Sequence, residues 1–231
     1  MVDLNTQTPL PEVLPEKYRY IAIEGVIGVG KTTLANIMTQ RFNGRLVLEE
    51  FEENPFLAKF YQDRHRWGFH TQLAFLASRF RQQKALLERD LFQKVVISDY
   101  IFDKDRVFAH TNLEGDELHL YESLFSIMES ITPIPDLVVY LQSSTDRLMK
   151  NIEHRGRSYE QLIERDYIET LNEAYNQYFF HYRKSPLLIV NVAKIDFVKH
   201  PHHLEELLRQ IVHFNHEGTM FFNPVLETED K

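Results

Sequence analysis

One stretch limits what this chain can fold into more than any other: GVIGVGKTT, Gly25 to Thr33. It fits G-x-x-x-x-G-K-[ST] in full, through Gly25, Gly30, Lys31 and Thr32. The apolar run YIAIEG (20–25) precedes it and a helical pattern follows, which is the strand–loop–helix setting the motif needs. Glycines let the backbone curl so that its N–H groups point inward, and those groups together with a helix N-terminus attract phosphate. Lysine reaches the outer phosphates as a point charge, and the threonine hydroxyl suits Mg²⁺. Three of the eight glycines in the chain fall here, which makes a chance glycine turn a poor account. Gly25, Val26, Ile27, Gly28, Val29, Gly30, Lys31, Thr32 and Thr33 are the expected phosphate cradle.

Five β-type runs occur: 20–25, 45–50, 94–99, 136–142 and 187–193. Three are nearly continuous Val, Ile and Leu, as in strands buried on both faces of a parallel sheet. Helical spacing lies between them. Leu34, Ile37, Met38 and Phe42 mark one helix, and Leu73, Leu76, Ala77, Phe80 and Leu87 a second. Leu120, Leu124, Ile127, Met128 and Ile131 mark a third, stopped before Pro133, and Ile168 to Tyr182 a long fourth. Leu204, Leu207, Leu208 and Ile211 mark the last. The alternation predicts an α/β fold of P-loop kinase type: a doubly wound, five-stranded parallel sheet flanked by helices, with ligands beyond the strands' carboxyl ends. The expected domain spans 17–214, with a short lid near 152–165 and loosely held termini at 1–16 and 215–231.

A net charge of −8 argues against a binder of nucleic-acid polymers. With no cysteine, thiol chemistry, disulfides and zinc–thiolate sites are excluded. No apolar run approaches ~18 residues, so no membrane span is expected. The start of the chain lacks a signal-type apolar core, which makes the cytoplasm the default location.

A phosphate loop serves hydrolases, switches and kinases alike. A switch carries D-x-x-G and N-K-x-D, and neither string occurs. A kinase needs a base near the acceptor hydroxyl, an acceptor pocket and a cationic lid. HRGRSYEQ (154–161) offers Arg155 and Arg157, whose guanidiniums suit charge spread over phosphoryl oxygens. LEEFEEN (48–54) ends the second run and offers Glu49, Glu50, Glu52 and Glu53 as candidate bases. Asp99 ends the third run, where a carboxylate suits Mg²⁺ alongside Thr32.

These pieces, in this order, resemble the deoxynucleoside kinase family, in particular its bacterial deoxyadenosine/deoxyguanosine kinase branch, over about 20–197. The resemblance puts the catalytic glutamate at Glu49, with Glu50 as fallback. In FYQDRHRWGFHTQLAFLASRF it implies Tyr61 for the sugar 3′-hydroxyl, Gln72 for the base and Arg79 beside it. In RGRSYEQ it matches Arg155 and Arg157 to the lid arginines and Glu160 to a 3′-hydroxyl contact. The base-reading aspartate falls on Asp105, with Asp103 as the other candidate, and Phe197 lies where the family stacks the ATP adenine. One departure stands out: Tyr100 follows Asp99 where the family has an arginine that helps orient the 5′-oxygen, leaving Lys104, Arg106 or the lid arginines to substitute. The resemblance implies ATP and Mg²⁺ as cofactors, a deoxynucleoside as substrate, and a homodimer. Gln72 presents a donor and an acceptor side by side, which suits a base with an exocyclic amino group; the choice of a purine rests on the resemblance.

Two other functions compete. A thymidylate-kinase-like monophosphate kinase would need further cations at the acceptor, for which Arg64, Arg66 and Arg79 are available. A nucleotide-binding regulatory module would need no base at all. HPHH (200–203) reads as a surface turn before a helix, with no carboxylate arranged to complete a metal site.

Overall fold

Tyr20–Glu24 forms the central strand β1, and all five of its residues are buried. A strand that is apolar up to its last residue, Glu24, is stable only with both faces covered. The computed structural model of the chain describes residue 11, residues 13–87 and residues 95–224. Residues 1–10, 12 and 225–231 of the expected loose termini, and Lys94 at the start of the third run, lie outside the described residues.

The sheet is entirely parallel, with β1 between β3 (Val96–Ser98) and β4 (Leu137–Gln142). β2 (Arg45–Val47) lies beyond β3, and β5 (Leu187–Asn191) beyond β4. A sixth strand, β6 (Thr219–Phe222), pairs with β5 and completes the order β2-β3-β1-β4-β5-β6. This corrects the five strands expected, and it takes 219–222 out of the segment expected to be loose. TMFF is short and half-exposed, with Phe221 on the open side, so it has no apolar run of its own; pairing with buried β5 defines it.

The helices that cover the sheet are α1 (Lys31–Arg41), α2 (Leu57–Gln62), α3 (Arg64–Leu87), α4 (Lys104–Asn112), α5 (Gly115–Glu129), α6 (Thr145–Arg155), α7 (Arg165–His181) and α8 (Pro201–Val212). The stripes expected at α1, α3, α7 and α8 contribute buried residues to the core, among them Leu34, Leu76, Tyr175 and Leu208. In α5 the packed positions are Tyr121 and Phe125, while Leu120 and Ile127 of the expected stripe face outward. The strand order turns on β1: the chain first builds β2 and β3 to one side, then β4, β5 and β6 to the other. A crevice opens at that switch point, beyond the carboxyl ends of the strands.

Candidate active site

Gly25 to Gly30 form the turn from β1 into α1, with φ values of 148°, 86° and 105° at the three glycines. The packing forbids side chains as firmly as the dihedrals do. A Cβ on Gly25 would lie 2.6 Å from the Leu141 carbonyl oxygen, and one on Gly28 would lie 2.8 Å from that of Leu148. Val26 and Val29 bury their side chains in the core, which leaves the loop's backbone as its working surface. Asn151 of α6 donates to the Gly28 carbonyl at 2.8 Å and ties the loop to the lid-bearing helix.

Lys31 Nζ donates to the carbonyls of Gly25 (2.7 Å) and Val26 (3.2 Å), curled back over its own loop. Burial and the neighbouring Lys104 charge push its pKa down to about 8, against the pull of Glu24, Asp99 and Glu49. A lysine so placed gains strongly from an incoming polyanion. Thr32 Oγ1 donates to Asp99 Oδ2 at 2.6 Å, so a hydroxyl and a carboxylate oxygen meet beside the loop. Among the described residues no three His, Cys, Asp or Glu side chains cluster to hold a metal ion. Two hard oxygens without a full protein cage suit Mg²⁺, which keeps several waters and shares phosphate oxygens.

Two hollows meet at this loop. The outer cleft runs over Val29, Gly30 and Thr33 to Phe197, whose ring would touch a Cβ on Gly30 at 3.0 Å. The inner cavity reaches past Glu49 and Tyr61 to Gln72 and Arg79, with Phe75 and Phe108 in its wall. Gly28, Lys31, Thr32, Arg155 and Arg157 line both.

Of the four glutamates after β2, only Glu49 turns into the cavity; Glu50, Glu52 and Glu53 are exposed. Its backbone N–H donates to Asp99 Oδ1 at 2.9 Å. Its Oε1 accepts from Arg79 Nε (2.9 Å) and Nη2 (2.5 Å), and its Oε2 from Lys104 Nζ at 2.6 Å. Burial alone would raise the carboxyl's pKa, but the Lys104 and Arg79 charges and hydrogen bonds outweigh it and hold the group well below the usual carboxylate range. Arg79 also pairs through Nη1 with the fully buried Asp105. Asp103, the alternative, instead accepts from Tyr178 (2.6 Å) and pairs with Lys184. Gln72 is 1% exposed and its Oε1 has no partner, an acceptor kept free in the cavity wall. Tyr61 stacks on Tyr159 of the lid at 6.4 Å.

Gly156, at φ 65°, ends α6 in a left-handed turn and starts the lid. Arg155 pairs bidentately with Glu160, through Nε at 3.0 Å and Nη2, and Arg157 approaches the same carboxylate at 3.5 Å. Glu160 is 5% exposed and lines the inner cavity. Both lid arginines are thus held by a carboxylate beside the place where the two hollows join. Arg64 pairs with Glu164 and Arg66 lies over Trp67, both outside the cavity.

The structure adds residues that the motifs did not single out. Glu24 is fully buried at the end of β1; Lys104 was one of three possible substitutes; Phe75, Phe108 and Tyr159 supply the aromatic walls. A chance of finding Lys104 lay in its sequence neighbourhood, DKD, which sets a cation between two acids. Tyr100, in the place of the absent arginine, is fully buried and its hydroxyl donates to Gln82 Oε1 at 2.9 Å.

A parallel sheet with a phosphate loop at its switch point, an arginine lid and a second chamber behind them defines a P-loop phosphotransferase. The family model described as deoxynucleoside kinase matches residues 21–216. The chain belongs to that family and is a kinase. A deoxyadenosine/deoxycytidine kinase of Bacillus subtilis (strain 168) is 31% identical over 209 residues, covering 87% of this chain and 95% of its own length. A deoxyguanosine kinase of the same organism is 36% identical over 157 residues, covering 68% and 76%. A solved deoxyadenosine kinase from M. mycoides with bound dATP matches with a TM-score of 0.74 at 26% identity, over 84% of this chain and 99% of that one.

Proposed function

We propose that this chain transfers the γ-phosphoryl group of ATP to the 5′-hydroxyl of a purine deoxynucleoside, giving the 5′-monophosphate in nucleotide salvage. The observation that carries the reading is the wall common to both hollows: Gly28, Lys31, Thr32, Arg155 and Arg157 stand between an outer cleft suited to a triphosphate and an inner cavity suited to a nucleoside. ATP lies along the 25–33 loop with its adenine against Phe197. Thr32 and Asp99 would hold Mg²⁺, which would supply neutralisation of phosphate charge. Glu49 accepts the hydroxyl proton, Tyr61 and Glu160 hold the 3′-hydroxyl, and Arg155 and Arg157 meet the transferring group and keep water out.

The base is read by Gln72, Arg79 and Asp105. Their buried polar atoms need matching groups, and a base without them leaves atoms unpaired, a mismatch of ~10⁴-fold in such sites. Adenine, guanine and cytosine carry the amino group that thymine lacks. The names of the two Bacillus subtilis relatives support an amino-bearing base. The reading includes a homodimer and a cytoplasmic setting; no described helix is long and apolar enough to cross a membrane.

The test is purified protein with ATP and Mg²⁺ against each of the four deoxynucleosides in parallel, with the four monophosphates beside them. Formation of dAMP or dGMP with stoichiometric ADP is expected. Consumption of monophosphates alone would point to a monophosphate kinase. Glu49→Gln separates a kinase from a regulatory module: turnover is lost while ATP binding persists.

A further inference from the structure

We propose that Lys104 is the positioning residue for Glu49, its ammonium holding that carboxylate aimed at the attacking 5′-oxygen. The inference rests on the reading of Glu49 as the acceptor's base. It starts from a lysine in a place that three physical effects oppose. Lys104 is 5% exposed, and burial penalises an ammonium. It is the first residue of α4, where the helix dipole repels a cation. It also shares the wall of the inner cavity with Lys31, a second cation. A neutral side chain would avoid all three penalties, so the position is explained by what the ammonium touches.

It touches Glu49. Arg79 occupies Oε1 of Glu49 and is shared with Asp105, so one guanidinium serves two carboxylates. Lys104 Nζ, 2.6 Å from Oε2, supplies the missing positive charge and lines the inner cavity. Other nearby groups have other partners: Lys31 turns to its own loop, Tyr100 to Gln82, and Arg106 to Glu122 on α5. In the transfer, the 5′-O–H bond breaks and its proton passes to a Glu49 oxygen. The hydroxyl oxygen's electron pair forms the bond to Pγ, and the bond from Pγ to the bridging oxygen breaks with its pair leaving on ADP.

The experiment measures kcat and KM for ATP and for the preferred deoxynucleoside in Lys104→Met, Lys104→Arg, Arg106→Gln, Glu49→Gln and the Glu49→Gln/Lys104→Met double variant. Lys104→Met is expected to lower kcat by ~10²-fold, the scale of a lost charge-stabilising donor, with both KM values within about threefold, because binding groups are untouched. Lys104→Arg restores most of kcat, Arg106→Gln matches the parent, and the double variant is no slower than Glu49→Gln alone. Should Lys104→Met fail to fold, Lys104→Gln, which keeps a hydrogen-bonding group without the charge, is held to the same criteria. A neutral variant with parental kcat, an arginine variant no better than the neutral one, or a further loss in the double variant would each overturn the inference. Glu49→Gln that still turns over sinks the underlying reading instead, whereas a dead Glu49→Gln beside a normal Lys104→Met sinks only the role of Lys104.

Discussion

Glu24 places a carboxylate at the base of the phosphate loop at full burial, and backbone amides donate to both its oxygens. Gly25 N–H donates to Oε2 and Ile101 N–H to Oε1, each at 2.9 Å. Burial pushes its pKa up, and the charges of Lys104 and Lys31 and the two amides pull back only part of that rise. The residue therefore joins the start of the phosphate loop to the segment after β3. Glu24→Gln replaces one acceptor by an amide NH₂, leaving a buried N–H facing a donor. We expect a loss of about 1–3 kcal/mol, the cost of an unsatisfied buried group, read as a lower denaturant midpoint together with weaker ATP binding. An unchanged midpoint would show that the loop holds its shape without this tie. Nothing local marks Glu24 in YIAIEG, because its second partner lies 77 residues away. The cradle glycines, by contrast, were legible because their spacing is local. Gln72 and Arg79 were legible through the family resemblance, and both line the inner cavity from α3. Lys104 was visible only as one substitute among several, since its contact with Glu49 depends on how α4 docks.

At the scale of elements, α4 is one of three helices, with α2 and α6, that the apolar stripes did not mark. KDRVFAHTN has few apolar positions, yet Val107 and Ala109 are buried and Lys104 and Asp105 point into the site region. Its outer face is held by charge: Arg106 donates to Glu122 of α5 at 2.9 and 2.6 Å, and His110 meets the same carboxylate at 2.5 Å. Burial raises the Glu122 carboxyl, but the hydrogen bonds from Arg106 and His110 outweigh it and leave the pKa below its ordinary value of 4.5. A lowered folded-state pKa means that the contribution is complete above 4.5 and is lost as pH falls through the folded value. Glu122→Gln should cost about 1 kcal/mol at neutral pH, given the partial exposure of Arg106, and the gap to the parent should close toward about pH 3. Denaturant melts of both proteins at the two pH values check this; a gap that persists in acid would assign the effect to packing. β6 was hidden for a related reason. Its four residues become a strand only through the register Ile189↔Phe221, which a scan for apolar runs cannot detect.

For the whole molecule, the apolar stripe of α5 poses a question about what covers it. Leu120, Leu124 and Ile127 fall at i, i+4 and i+7 of α5, Leu124 leaning partly on the core, and Ile131 follows just past the helix end. In the isolated chain Tyr121 and Phe125 pack inward, while Leu120 is 51%, Ile127 69% and Ile131 53% exposed, with Ile134 at 60% just beyond. A ridge of aliphatic side chains in water favours a partner, and an isologous contact between two copies is the arrangement a symmetric dimer uses. Such a contact hides about 800 Å² on each partner in a standard interface, and the aliphatic residues at its centre tolerate an unpaired carboxylate badly. Ile127→Glu therefore separates two states of the protein. If α5 is the dimer face, the parent elutes with twice the chain mass by light scattering and the variant with a single chain mass, while its circular dichroism is unchanged, because Ile127 makes no part of the monomer core. A variant that stays dimeric would move the interface elsewhere, and a parent that is already monomeric would leave the ridge to another partner. The stripe was readable from periodicity alone, but its direction was not: a helix stripe looks the same whether it faces its own sheet or a second molecule, and the inward packing of Tyr121 and Phe125, with Leu124 and Met128 beside them, resolves which.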